Sequence, residues 1–351
     1  MERLLVHFKN QWPGYLLLAV IVFVVSCCAE HASAYEGFGS VTTGGQGQSV
    51  YTVTSLADSG PGTLRDALSQ GNRYISFAVA GTIYLEDHIR ITDSFITIDG
   101  KTAPSPGITI ACNGAYDLLQ LRGASCHDVI IDGIRVIGAN NDNIQIYTDC
   151  FNIIVNGCSI RGGSDGNIDI TNGCHDITVS NCIIADNSKM SLVKDNVYNI
   201  TMAGNIWFEG YDRNPQFNDV THFDYYNNYL YGWGAVGIWV RENSSGNLVM
   251  NYFKAIYDLN RAICFVDNDS NLVYCEANYL HPDSSCDGTK LQPYDYWYDI
   301  MLIDTYDVPY FVVNSAGCRP LDERDNEIIS TILGTGVEEQ GTWGLIKAYY
   351  R

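Results

Sequence analysis

From Asp128 to Glu276 the chain alternates short β-branched runs with turns rich in Asn and Gly, and it does so at a nearly constant period. DVIIDG at Asp128, NIIVNG at Asn152, DITVSN at Asp176 and NITMAG at Asn199 are followed by HFDYYN at His222, NLVMNY at Asn247 and NLVYCE at Asn271. The steps between their first residues are 24, 24, 23, 23, 25 and 24. Each unit carries a second short apolar run, such as IRVIG or CSIRG. Alternating, β-branched runs of this length predict strands, and no amphipathic helical pattern separates them. A single unit cannot bury its own apolar face. Units repeating at this period are therefore predicted to stack as a solenoid around one continuous core.

The small residues follow the same register. Cys126, Cys150 and Cys174 are 24 residues apart, and Cys158 and Cys182 occupy a second equivalent position. Rungs of a solenoid stack about 4.8 Å apart, so these five read as two columns of soft interior side chains. A disulfide within a column is permitted but not required. Asn181, Asn227, Gly133, Gly157 and Gly204 fall at the turn after the strand, where left-handed backbone angles suit Asn and Gly. Both ends depart from the repeat. GTLRDAL at Thr63 to Leu68 is predicted to form a short amphipathic cap over the first rung. After Tyr279 the repeat fades: Tyr294 to Tyr310 reads as loop, and Asp322 to Leu333 has helical apolar spacing with acidic residues in its first turn.

The first 34 residues have a different character. A basic start with Arg3 and Lys9 precedes the apolar run Leu16 to Val25, and Ala32-Ser33-Ala34 supplies small residues before a cut. This predicts a signal peptide over 1–34 and secretion, with one domain over 35–351 and no membrane span in the mature chain. Val24-Val25-Ser26-Cys27 also resembles a degenerate lipoprotein box, so lipid anchoring through Cys27 is the alternative. Ten of the 12 cysteines lie beyond that segment, without a CxxC pair or a zinc-ligand spacing. Twenty Lys and Arg against 40 Asp and Glu give a net charge of -20. That excludes a nucleic-acid backbone as the general partner. A polyanionic substrate then needs a local basic patch or bound cations.

Such a patch is visible where polar residues break the repeat. Asn141, Asp165, Lys189 and Arg213 are spaced 24 residues apart and would form a column on successive rungs, with Asp142 beside Asn141. In NIDIT, alternation would turn Asn167, Asp169 and Thr171 outward while Ile168 and Ile170 face the core. Singly these are solvated turn residues with weak surface ion pairs. Ordered as a column they place carboxylates at one end and cations at the other. Clustered oxygens suit a hard cation such as Ca²⁺, and Lys and Arg together suit a carboxylate ligand.

The chain resembles the extracellular pectate lyases over nearly its whole length beyond residue 34. The opening YEGFGSVTTGGQGQSVYTVTSLADSGPGTLRDAL, the segment ITIDGKTAPSPG from Ile96 to Gly107, the stretch DGNIDITNGCHDITVSNCII and Gly317-Cys318-Arg319-Pro320 with Asp322 carry the resemblance. It implies an all-β, single-stranded, right-handed parallel β-helix with an N-terminal cap helix and a C-terminal loop and helix segment. It also implies Ca²⁺ bound between enzyme carboxylates and a substrate uronate; a parallel solenoid folds without oligomers, so a monomer is expected. The matching ligands are Asp142, Asp165 and Asp169, and a further acidic position falls at Asn140 or Asn141, where an amide replaces the acid. Lys189 in DNSKMSLV matches the substrate-binding lysine, and Arg213 in Arg213-Asn214-Pro215 matches the catalytic arginine. A second arginine expected five residues later is Asn218, and Gln216 replaces another commonly basic position. Arg241, or Lys194 one rung away, are the candidates to offset that loss.

The implied reaction is calcium-dependent β-elimination on acidic polysaccharide, polygalacturonate, giving a 4,5-unsaturated uronide. Arginine is an unusual base, since a guanidinium is ordinarily protonated. Two alternatives stand beside this reading: a non-catalytic polysaccharide-binding β-helix, and another uronan-directed lyase or hydrolase.

Overall fold

The computed structural model describes residues 35–256, 261–266, 270–281, 290, 292–296 and 298–334. The chain divides into two compact units, Met1–Tyr35 and Glu36–Arg351. The described residues belong, Tyr35 apart, to the second. The signal-like segment and Cys27 lie outside the described residues. No described helix is long and apolar enough to cross a membrane.

The described strands pair in parallel in two sheets, one of 16 strands and one of nine. The nine-stranded sheet runs from Gly81–Leu85 to Tyr279–His281, one strand per turn of a parallel β-helix. The larger sheet combines two ladders. Leu192–Ala203 and Gln216–Tyr226 are long enough to round a corner, and a register shift between Lys194 and Val197 marks the bend. Partners stand one period apart, as in Ile144 with Ile168 and Ile160 with Ile184. The core is a stack of inward Ile, Val, Leu and Phe.

The cysteine columns are interior. Cys126, Cys150, Cys158, Cys174 and Cys182 are free thiols with no exposed surface. Beyond Cys182 the second column changes chemistry. Cys182 N donates to Asn205 Oδ1, and amides then pass from Asn205 to Asn228, Asn251 and Asn278 at 3.0, 3.1 and 2.9 Å. This internal ladder satisfies buried amides rung by rung. The turn position predicted from Asn and Gly has positive φ throughout: 71° at Gly133, 57° at Gly157, 50° at Asn181, 65° at Gly204 and 55° at Asn227.

The N-terminal cap is the one-turn helix Leu64–Ala67, with Thr63 accepting a hydrogen bond from the Asp66 amide at 3.2 Å. The predicted C-terminal helix spans Glu323–Gly334. The Tyr294 to Tyr310 segment is not loop to its end, because a second helix, Val308–Ser315, begins inside it with Pro309 in its first turn. Val308, Val312, Ile328 and Ile332 of these helices cover Ile183, Ala185, Ile206 and Phe208 on the outer side of the nine-stranded sheet. The Gly-Cys-Arg-Pro segment docks there too, with Cys318 N donating to Ser159 Oγ at 3.0 Å. Arg161 holds Asp322 at 2.5 Å and Asp325 at 3.3 Å beneath the last helix. Residues 36–41 strap a second ladder, where the amides of Phe38 and Gly39 donate to Thr201 and Thr178. The polar cluster sits on the remaining ladder.

Candidate active site

The remaining ladder includes Leu119–Arg122, Ile144–Tyr147, Ile168–Thr171 and the first residues of Leu192–Ala203 and Gln216–Tyr226. Leu119, Ile144 and Ile168 are in register, so Asp117, Asp142 and Gly166, each two residues earlier, hold equivalent places. Gly166 has no side chain where the two rungs before it carry Asp. A Cβ there would stand 2.6 Å from Asp142 Oδ1 and 2.8 Å from Asp169 Oδ1. The space left by this glycine is a cradle onto which two carboxylates converge.

Asp169 points outward between Ile168 and Ile170, which are wholly interior, yet only 9% of it is exposed. The open presentation expected from alternation is corrected: neighbouring rungs cover it, and Oδ1 accepts the Leu192 amide at 2.9 Å. Asn167 does not face outward at all. Its side chain is buried, accepts from Asn143 Nδ2 at 2.8 Å and donates to Ala185 O at 2.8 Å. Asp142 is buried; its Oδ2 accepts from Asn141 Nδ2 at 3.1 Å and Gln145 Nε2 at 3.2 Å, while Oδ1 has no hydrogen-bond partner. The Gly166 amide is near enough to favour ionisation of Asp142 without completing that bond. Burial, then the charges of Asp117 and Asp165, raise Asp142 above the ordinary carboxylate range. Burial, then Asp142, raises Asp169 likewise, and the charge of Arg213 eases it.

Asp165 lies within electrostatic reach of both carboxylates. Its own oxygen faces the next rung, 2.5 Å from Lys189 Nζ. Arg213 follows one rung later, half-buried, with a left-handed φ of 58°. Among the described residues its guanidinium makes no hydrogen bond. Asn140 is exposed on its turn, and the amide that joins the acidic group is that of Asn141, which donates to Asp117 Oδ1 at 2.8 Å and to Asp142. Asp117 is a further functional candidate, 24 residues before Asn141 and so one more step back along the same column. Its partner Asp142 lies 25 residues on, and the Asp142 amide donates to its Oδ1 at 3.1 Å.

Among the described residues no three His, Cys, Asp or Glu side chains close on one point as a preformed metal cluster. What the rungs present is a two-carboxylate cradle with an orphaned buried oxygen and a third carboxylate turned to a lysine. An unpaired buried carboxylate oxygen beside a like charge is the donor set a hard cation satisfies, so the residues fit Ca²⁺ through Asp142 and Asp169.

Beside the cradle runs a second outward row. Arg122, Tyr147, Thr171, Lys194, Asn218 and Arg241 pair in register, rung after rung. Their chain neighbours Leu121, Ile146, Ile170, Val193, Phe217 and Val240 are wholly interior, which fixes the row on the outer side. Asn218 therefore stands directly between two cations, Lys194 and Arg241. Arg241 lies over the Trp239 ring, 4.9 Å from its centroid.

No family model matches the chain. It is 31% identical over 356 residues to a protein of Emericella nidulans named "Probable pectate lyase C", covering 93% of this chain and 81% of that one. A protein of the same name from Aspergillus oryzae is 32% identical over 265 residues, 72% of this chain and 61% of the relative. Solved structures share the fold. The major allergen of cedar pollen superposes with a TM-score of 0.69 at 20% identity, over 82% of this chain and 93% of that one. A pectate lyase from Bacillus sp. N165, solved in complex with trigalacturonate, superposes at 0.59 with 18% identity, over 81% and 98%. The identity to the Emericella protein across most of both chains, together with the shared β-helix, places this chain in the pectate lyase family of polysaccharide lyases.

Proposed function

We propose that this chain cleaves demethylated, 4-linked polygalacturonate by calcium-dependent β-elimination. One juxtaposition carries the reading: the buried Asp142 and Asp169 cradle, the ion-paired Lys189 and the unpaired guanidinium of Arg213 occupy consecutive rungs of one ladder. Ca²⁺ held by Asp142 and Asp169, with Asp165 in reach, would supply the positive charge that draws electrons from a uronate carboxylate and acidifies its C5 proton. Lys189 leaves Asp165 to pair with that carboxylate and stabilises the charge that develops at C5. Arg213, as the free guanidine, takes the C5 proton. The electron pair forms the C4=C5 double bond, the C4–O4 bond breaks, and O4 leaves with a proton from water. Lys194 and Arg241 grip flanking uronates. A methyl ester has no charge for these cations to bind, so the demethylated polymer is preferred. A wall polymer of this kind is met outside the cell, and secretion of a monomer belongs to the same reading.

The test is ultraviolet absorbance of 4,5-unsaturated product from polygalacturonate, with added Ca²⁺ and then with chelator. Activity that needs Ca²⁺ and falls by about 10²–10⁴-fold in Arg213→Ala supports the assignment. Absence of unsaturated product on pectate, pectin and other uronans rejects it, and reducing-end release then tests for a hydrolase.

A further inference from the structure

We infer that Asp212 and Trp239 are positioning residues that hold Arg213 in its working conformation; this rests on Arg213 being the base proposed above. Arg213 is a non-glycine residue in the left-handed region, at φ 58°. Such a residue keeps that conformation only when its surroundings over-determine it. Here one carboxylate oxygen does so. Asp212 Oδ1 accepts the Arg213 amide at 2.9 Å and the Trp239 indole N–H at 2.5 Å. Asp212 is itself clamped to the rung of Lys189: its amide donates to Ser188 O at 2.8 Å, and its carbonyl accepts from Met190 N at 3.2 Å. Trp239 belongs to the following rung, in register with Gln216, and its amide donates to Pro215 O at 3.1 Å. Asp212, through its backbone and this one oxygen, thus ties three rungs together at the residue whose angle aims the guanidinium.

The indole has a second contact. Arg241 stacks on its ring, so the residue that grips a flanking uronate and the residue that braces Arg213 share one side chain. The N–H of Trp239 serves the chemistry and its ring serves binding, and the two are separable by substitution.

The variants are Trp239→Phe, Trp239→Ala, Asp212→Ala and Asp212→Asn in the full chain, assayed on polygalacturonate with Ca²⁺. Trp239→Phe keeps the ring beneath Arg241 and loses the donor; kcat falls about tenfold with KM within about twofold. Trp239→Ala loses both, so KM rises as well. Asp212→Ala lowers kcat about 100-fold. Asp212→Asn, whose amide oxygen still accepts both donors, stays within about threefold of wild type. A purely structural role would not give this split or this rescue. The Trp239 indole N–H resonance, assigned from its loss in Trp239→Phe, is expected to move in Asp212→Ala and to hold in Asp212→Asn. Wild-type kcat in Trp239→Phe and Asp212→Ala overturns the inference, as does an Asp212→Asn as slow as Asp212→Ala. A wild type inactive on every uronan rejects the lyase reading instead. The brace is then judged by the resonance: unmoved in Asp212→Ala it is overturned, moved it stands.

Discussion

Lys189 Nζ lies 2.5 Å from Asp165 Oδ1 across two rungs, with 44% and 48% of the side chains exposed. A pair this open is worth about 0–1 kcal/mol, so the lysine would leave it at little cost for a uronate carboxylate, as the proposed reaction requires. Asp165→Asn is expected to leave the melting temperature within about 2 °C of wild type. Lys189→Ala is expected to lower kcat/KM by about 10²-fold or more. Thermal melts and steady-state kinetics on the two variants check this together; a large stability loss in Asp165→Asn would contradict the weak pair.

The cradle above Gly166 gives a prediction that does not depend on turnover. A cation that binds the folded chain alone raises its melting temperature with concentration. Ca²⁺ is expected to raise that of the wild type, and chelator to reverse it. Gly166→Ala places a methyl group into the space between Asp142 Oδ1 and Asp169 Oδ1 and is expected to abolish the shift. Asp142→Asn, which removes one charge without adding bulk, is expected to weaken it about tenfold or more in Ca²⁺ concentration.

A separate acid governs the pH dependence of stability. Asp224 is 3% exposed, accepts from Tyr298 Oη at 2.5 Å and Asn247 Nδ2 at 2.8 Å, and burial pushes it from 3.8 up to about 7. The folded chain binds this proton more tightly than the unfolded chain. The contribution to stability is complete below about pH 4 and is lost as pH rises through about 7. Asp224→Asn stays neutral, so its stability is expected to fall less steeply over that window, by up to about 1.4 kcal/mol per pH unit. Denaturant melts from pH 4 to 8 measure the difference in slope.

The network beneath the last helix should matter for stability and not for chemistry. Arg161 pairs with Asp325, which has no exposed surface, and with Asp322. Arg161→Ala removes the nearer of two guanidiniums from that buried carboxylate, leaving it Arg135 at 3.8 Å and the Ser159 hydroxyl at 2.8 Å, so the loss is expected to fall below the about 3–5 kcal/mol of a buried pair broken outright. The helix Glu323–Gly334 is expected to loosen first, as faster amide exchange in that segment. Low-temperature kcat should stay within about twofold, because this network and the cradle lie on different ladders.

The stacking of the rungs was readable because identical residues recur at one spacing, as with Cys126, Cys150 and Cys174. The helix Glu323–Gly334 was readable from its apolar period. The helix Val308–Ser315 was not, since VPYFVV holds aromatic and β-branched residues that suit a strand equally. Asp165, Lys189 and Arg213 could be lined up by counting, and one further step back from Asn141 reaches Asp117; counting does not show that its counterpart on the next rung is Asp142, because that rung is one residue longer. Asn167 was misdirected by carrying strict alternation back through the turn, where the chain instead folds its amide inward onto Asn143. The place of Asn218 between Lys194 and Arg241 came from two strand pairings, Lys194 with Asn218 and Asn218 with Arg241, which differ in step by one residue.

The row from Arg122 to Arg241 works as a ruler. Its six positions mark six rungs separated by five steps of about 4.8 Å, so a linear polymer laid along it meets protein at fixed intervals that no loop movement can stretch. The footprint on the substrate is then set by how many rungs carry a cation, and only secondarily by the shape of any loop. Adding one rung would lengthen the grip by one graduation and leave the register of every other mark unchanged, and exchanging Asn218 for a charged residue would fill a blank mark without moving its neighbours.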